Sequence, residues 1–150
     1  TPLFSRLGWV KTGAAQAYTN AVIEQFDVRG ASLQTPARNL SGGNMQKLIL
    51  GRALQLPEGA PARSPALIIA QQPTWGLDIG AVAFVQEQLI KARDAGAAVL
   101  LVSDDLDEVM MLGDRIAVMH AGVLSAAKPT DQWSRESIGL AMAGSGEVAA

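Results

Sequence analysis

The chain lacks cysteine altogether and has a single histidine among its 150 residues. With no thiols there is no disulfide framework, and the composition fits a reducing compartment. His120 has no Cys and no second His to work with, so no metal site is expected. Aromatics are equally scarce, at 5%. Trp9, Tyr18 and Phe26 are scattered singly and are assigned to packing rather than to a stacking platform. A run of Lys or Arg is also missing. With 12 basic and 14 acidic side chains and a net charge of −2, the chain has no electrostatic footprint for a nucleic-acid partner. No signal-peptide pattern is present, and no apolar run approaches the roughly 20 residues that span a bilayer. Any membrane role must therefore pass through a partner.

What is present is a globular composition. Hydrophobic residues make up 49% of the chain, enough to bury a core in one domain of this length. The most informative stretch is Leu40-Ser41-Gly42-Gly43-Asn44-Met45-Gln46-Lys47, which runs directly into Leu48-Ile49-Leu50-Gly51-Arg52-Ala53-Leu54. A hydroxyl and two glycines ahead of a helix leave backbone N–H groups unpaired at its positive end, with no Cβ to hold a ligand off. That is an anion-binding geometry. Ser41 also suits a plain N-cap, and Ser-Gly-Gly alone would be no more than a capped helix after a tight turn.

A second stretch shifts the balance: Ala66-Leu67-Ile68-Ile69-Ala70 followed by Gln71-Gln72-Pro73-Thr74-Trp75-Gly76-Leu77-Asp78. Together the two resemble the signature motif and the Walker B strand with its D-loop in ABC transporter ATPase domains. The approach through Phe26-Asp27-Val28-Arg29 and Thr35-Pro36-Ala37-Arg38-Asn39 is most similar to sugar and nucleoside importers, in which two ATPase domains share one chain. No Gly-x-x-x-x-Gly-Lys-Ser/Thr occurs, so the phosphate loop and its lysine are absent. The chain starts at Thr1 without an initiator Met. The expectation is therefore the C-terminal part of a second nucleotide-binding domain, with residues 1–56 as a helical subdomain region bearing the signature and 57–150 as the C-terminal part of a RecA-like core.

Periodicity supplies the elements. Ala14 to Phe26 is expected as a helix, Asp27 to Asn39 as a connection, and Asn44 to about Leu56 as the signature helix, with Leu48, Ile49, Arg52 and Leu56 on its apolar face. Pro57 to Pro65, with three prolines and a glycine, reads as a loop, and the resemblance to a family whose link is usually shorter implies a surface insertion there. The apolar runs Ala66–Ala70 and Ala97–Ser103 match strands buried on both faces of a parallel sheet. Between them Ala81–Ala95 forms the helix of a βαβ unit, closed by Gly96. A short helix over 104–112, a strand over 115–120, a hairpin turn at Ala121-Gly122 into 123–127 and a helix over 131–143 complete the pattern, with 144–150 frayed. The fold class expected is α/β, a partial RecA-like (P-loop NTPase) parallel sheet carrying an ABC-type helical subdomain.

The resemblance also implies where chemistry is missing. The family's metal-anchoring and water-activating carboxylates would stand at Gln71 and Gln72, and its switch histidine at Asp104. An amide cannot take a proton from water at neutral pH and is a poor ligand for a hard cation beside a carboxylate. A carboxylate repels phosphate where an imidazole would donate to it. No catalytic residue is therefore assigned, and the chain is not expected to hydrolyse ATP on its own. The signature is intact, and the resemblance implies that Ser41, Gly42, Gly43, Asn44 and Gln46 bind ATP held on another domain's phosphate loop. Asp78 would sit at that interface, or simply cap the helix starting near Gly80. Trp75 stands where the family often has a basic residue and suits either an interface or the core.

The implied cofactors are ATP and Mg²⁺ in the full assembly, with none in the isolated chain. The implied partners are the other ATPase domain and transmembrane permease subunits, which would place the chain peripherally on the cytoplasmic face of the membrane. Self-association through an exposed strand edge is a further expectation. Two rival classes remain. One is a non-catalytic interaction module that keeps the fold, favoured by Gln71, Gln72 and Asp104 and opposed by the retained Ser41-Gly42-Gly43. The other is a soluble ABC ATPase acting on nucleic acid or ribosomes, which the absence of basic patches disfavours.

Overall fold

The structure, a computed structural model, describes residues 4–6, 9–56 and 65–145. It divides into two compact units, Thr1–Ile68 with Pro73–Leu100, and Ile69–Gln72 with Leu101–Ala150. The part of the expected insertion over 57–64 and the tail beyond Ser145 lie outside the described residues.

The first unit opens with a small antiparallel pair, β1 (Ser5–Arg6) and β2 (Trp9–Val10). Neither was expected, and Trp9, assigned to packing, is exposed. Three helices follow: α1 (Thr12–Gln25), α2 (Gly42–Leu54) and α3 (Ile79–Asp94). They meet where α2 has no side chain. A Cβ on Gly51 would lie 2.6 Å from Val22 Cγ1 and 3.0 Å from Phe26 Cδ2. Phe26 in turn packs edge-on against Phe84 of α3, with ring centroids 6.0 Å apart. The buried face of α2 is thus centred on Gly51, whereas Ile49, Arg52 and Leu56 of the expected stripe are exposed. Hydropathy cannot see a face made by the lack of a side chain. Val85 and Leu89 bury the opposing side of α3, and Tyr18 spans to α2 by sharing its hydroxyl between the Arg52 and Gln55 carbonyls at 3.1 and 3.2 Å.

Strands β3 (Leu67–Gln71) and β4 (Ala98–Val102) pair with each other. Ala98 N–H donates to Ala66 O at their first ends and Gln72 N–H to Val102 O at their last ends, so the pair is parallel, as expected. Burial on both faces is not observed. Leu67 and Ile69 are 55% and 66% exposed, and Leu100 and Val102 are exposed as well. The continuous apolar pattern was correct for a parallel pair; among the described residues no further strand bonds to either. Gly96 closes α3 with φ +98°, as its position suggested.

In the second unit Asp105 caps α4 (Leu106–Leu112), accepting from the Asp107 and Glu108 N–H groups. The expected single strand over 115–120 is two short ones, β5 (Arg115–Ile116) and β6 (Met119–His120). β6 turns at Ala121 and Gly122, φ +47° and +81°, into β7 (Val123–Leu124), giving the expected hairpin. β8 (Lys128–Pro129) returns to pair with β5, which local pattern did not reveal. The expected terminal helix breaks at Trp133. A 3₁₀ turn over Thr130–Gln132 precedes α5 (Arg135–Met142), which starts at a Ser134/Ser137 capping box. Ile116, Val118, Ile138 and Ala141 form the core here, and Trp133 donates its indole N–H to Ile116 O at 3.2 Å.

Candidate functional site

The N-terminus of α2 begins two residues earlier than expected because Ser41 is its cap. Extended at φ −63°, ψ 160°, Ser41 presents its oxygen to Asn44 N–H at 3.4 Å and to Asn44 Nδ2 at 3.0 Å. Its carbonyl takes Met45 N–H at 2.8 Å. Gly42 and Gly43 hold the first two helical positions, and their N–H groups meet no acceptor among the described residues.

The two glycines differ in kind. A Cβ on Gly43 would press on Ala81 Cβ at 3.2 Å and come 3.6 Å from Asp78 Oδ2, so the close approach of α2 to the start of α3 asks for glycine. A Cβ on Gly42 would meet nothing nearer than Gly76 O at 3.9 Å. Packing does not require glycine there, and the exposed backbone is left open toward solvent. Gln46 lies four residues on, along the same side of the helix, and is half-buried.

Opposite Gly43, the loop after β3 makes a turn closed by Leu77 N–H to Thr74 O at 3.2 Å, with Gly76 at φ +71° in its third place. The turn lifts Trp75 outward, 77% exposed, and brings Asp78 to the head of α3. Asp78 caps α3, as its position suggested, by accepting from Ala81 N–H at 2.9 Å, and the helix starts at Ile79, one residue before Gly80. Ile79 beside it is 90% exposed. Ser41, Gly42, Gly43, Asn44 and Asp78 are therefore gathered in one unit, at two adjoining helix starts.

Below Ser41, a turn the sequence analysis did not single out as functional is locked to α2. Asn44 Oδ1 accepts Arg29 N–H at 2.8 Å, and Lys47 donates to Asp27 O at 3.2 Å and Asp27 Oδ2 at 3.3 Å while lying over the Phe84 ring. The hydrogen bond from Arg29, then that from Lys47, holds the Asp27 carboxyl below its usual range. Burial pushes the Tyr18 phenol up, with Arg52 partly opposing. The bonds that tie Arg29 and Asp27 to α2 link residues at least 15 apart, so no local signal could have found them.

Gln71, Gln72 and Asp104 fall in the other unit. Gln71 and Asp104 are exposed and Gln72 half-buried; Gln72 has φ +47°. Their side chains make no hydrogen bond within the described residues. The Gln71 and Gln72 amides cannot take a proton from water, and with Asp104 as the lone carboxylate the three offer no set of anionic oxygens for a divalent ion, so these positions do not fit Mg²⁺. The α2 end fits a phosphate: a hydroxyl and two unpaired N–H groups at a helix start, with one backbone face left open. His120 ends β6 with Nδ1 2.8 Å from Met142 O.

No family model matches the chain. It is 45% identical over 142 residues to the guanosine import ATP-binding protein NupO of Bacillus subtilis (strain 168), spanning 95% of this chain and 26% of that protein. It is 38% identical over 143 residues to the nucleoside import ATP-binding protein NupA of Lactococcus lactis subsp. cremoris (strain MG1363), spanning 95% and 27%. A third relative, the ribose import ATP-binding protein RbsA 2 of Rubrobacter xylanophilus, is 33% identical over 94% of this chain and 26% of its own length. The chain thus spans about a quarter of the length of the curated relatives it matches. Among solved structures, an ATP-binding subunit of an ABC transporter matches with TM-score 0.67 and 20% identity over 91% of this chain and 57% of that one. An ATP-binding cassette dimer bound to ADP and Pi matches with TM-score 0.64 and 23% identity, over 87% and 53%. These likenesses establish the fold, that of an ABC ATPase cassette.

Proposed function

We propose that this chain, a homologue of nucleoside- and sugar-import ATP-binding proteins along 95% of its length, supplies the cap of an ATP site whose phosphate loop belongs to another ATPase domain. The observation that carries this is the open N-terminus of α2. Ser41 brings a hydroxyl, and Gly42 and Gly43 two unpaired N–H groups, to one helix start, and Gly42 is glycine where the fold has room for a side chain.

ATP, when bound, supplies the phosphoanhydride whose cleavage drives the import cycle. The residues of this chain would bind and orient it. The two N–H groups and the Ser41 hydroxyl would hold phosphate oxygens, and the half-charge at the helix start would favour their negative charge. Gln46 adds an amide on the same side. Hydrolytic chemistry is not assigned here, because Gln71 and Gln72 can neither activate water nor anchor Mg²⁺. The metal and the base would come from the partner domain, which leaves one working and one degenerate site per pair. Asp78 and the exposed Trp75 and Ile79 next to α2 would face that partner.

In this scheme residues 1–56 act as the signature-bearing helical subdomain and 57–150 as the C-terminal part of the RecA-like core. The whole protein would work on permease subunits at the cytoplasmic membrane face, where the choice of solute is made. Among the described residues no helix is long and apolar enough to cross a membrane.

The test is steady-state ATPase activity of the full-length subunit with its permease. Ser41→Arg places a long side chain over the open N–H groups and should cut turnover at least about 10²-fold, the scale for losing donors to a developing charge. If Ser41→Arg leaves turnover intact, the signature is a relic. The interaction-module reading, which Gln71, Gln72 and Asp104 favour, then takes its place.

A further inference from the structure

Asn44 belongs to the signature, yet its side chain is turned away from the open face of α2, and what it holds decides how Ser41 can act. Amide oxygen and nitrogen can be told apart only by their partners. Here the partner is decisive. Arg29 offers a backbone N–H, which can only donate, and lies 2.8 Å from Asn44 Oδ1. The other end of the amide is then Nδ2, a donor, and it lies 3.0 Å from Ser41 Oγ. Asn44 N–H reaches the same oxygen at 3.4 Å. A hydroxyl has two acceptor positions and one proton. Both acceptor positions are filled from within the helix, and no acceptor for the proton exists among the described residues.

We propose that Asn44 is a positioning residue: clamped by the Arg29 backbone, it makes Ser41 Oγ an acceptor toward the helix and thereby aims the Ser41 hydroxyl proton outward, as a donor to phosphate. The clamp is itself secured, because Lys47 holds the carbonyl and carboxylate of Asp27, which has φ +46°, in the same turn as Arg29. The turn at 27–29 thus sets the polarity of a hydroxyl far along the chain. This rests on the reading of α2 as the cap of an ATP site.

Asn44→Asp isolates the effect. A carboxylate still accepts from Arg29 N–H, but its second oxygen now takes the Ser41 proton inward. The experiment measures kcat and KM for ATP in the full-length subunit with its permease, for wild type, Ser41→Ala, Asn44→Asp and the double variant, with thermal melts as folding controls. Each single change should lower kcat/KM about tenfold or more, the scale for a hydrogen bond to a charged group. The double variant should be no worse than Asn44→Asp, since the hydroxyl it removes no longer points outward. Losses that multiply would overturn the proposal, because charge repulsion or a packing defect would leave the Ser41 contribution independent. Should Asn44→Asp fail to fold, Asn44→Ala serves: the Ser41→Ala loss must shrink in that background, and an undiminished loss overturns the proposal. A harmless Ser41→Ala would overturn both this and the cap reading, whereas multiplying losses sink only the role of Asn44.

Discussion

At the start of α2, Ser41, Asn44 and Lys47 are tied to backbone groups, and the Gly42 and Gly43 N–H groups are left open among the described residues. At the ends of β3 and β4 the backbone is held instead, by Gln72 N–H on Val102 O, and the side chains of Gln71, Gln72 and Asp104 hold nothing among the described residues. The difference separates two demands. Binding an anion on backbone donors asks for a fixed local geometry, and that geometry is complete in one unit. On the proposed reading, hydrolysis asks for carboxylates at a strand end, and in the other unit Gln71 and Gln72 stand there as amides. On that reading the second demand is dropped and the first is kept.

The comparison breaks most visibly if glycine means the same thing along α2. Gly51→Ala adds a methyl against Val22 and Phe26 and should lower stability by about 1–3 kcal/mol by urea melt, outweighing the roughly 0.5–1 kcal/mol that Ala gains over Gly in a helix. Gly42→Ala has room, so the melt should stay level or rise slightly while ATP turnover of the full assembly falls; a stability loss equal to that of Gly51→Ala would refute the open-face account. Asp78→Ala removes the α3 cap and should cost about 1 kcal/mol.

At the strand end the expectation reverses. Gln72 has a left-handed φ of +47°, so Gln72→Gly should hold or raise stability by up to about 1 kcal/mol and leave turnover unchanged. The smallest effect concerns pH. Asp27, lowered by its hydrogen bonds from Arg29 and Lys47, contributes stability above the ordinary carboxylate range, and this is lost as pH falls through its depressed value. The urea midpoints of wild type and Asp27→Asn should therefore converge on acidification. Because the carboxyl is exposed, the gap should be small throughout.

Local pattern carried much of the fold. The three long helices, the parallel strand pair and the Ala121-Gly122 hairpin follow from apolar period, caps and glycine, all readable within a few residues. What escaped depends on contacts distant in sequence. β8 is defined only by β5, and the break before α5 comes from Ser134 capping a new helix rather than continuing the old one. The packing face of α2 escaped because Gly51 has no hydropathy to display. Of the candidate site, Ser41, Gly42 and Gly43 were legible as a hydroxyl and two glycines ahead of a helix, and Asp78 as a helix cap; their grouping was implied only by the resemblance. The clamp from Arg29 was not, since it uses a backbone N–H that any residue except proline would offer.

The most direct measurement is the ATPase rate of the full-length subunit on its permease, comparing Ser41→Ala with the double variant Gln71→Ala/Gln72→Ala. If this chain caps a site but does not hydrolyse, Ser41→Ala loses about tenfold or more and the Gln71/Gln72 variant keeps the wild-type rate. A large loss in the Gln71/Gln72 variant, with Ser41→Ala unimpaired, would contradict the account.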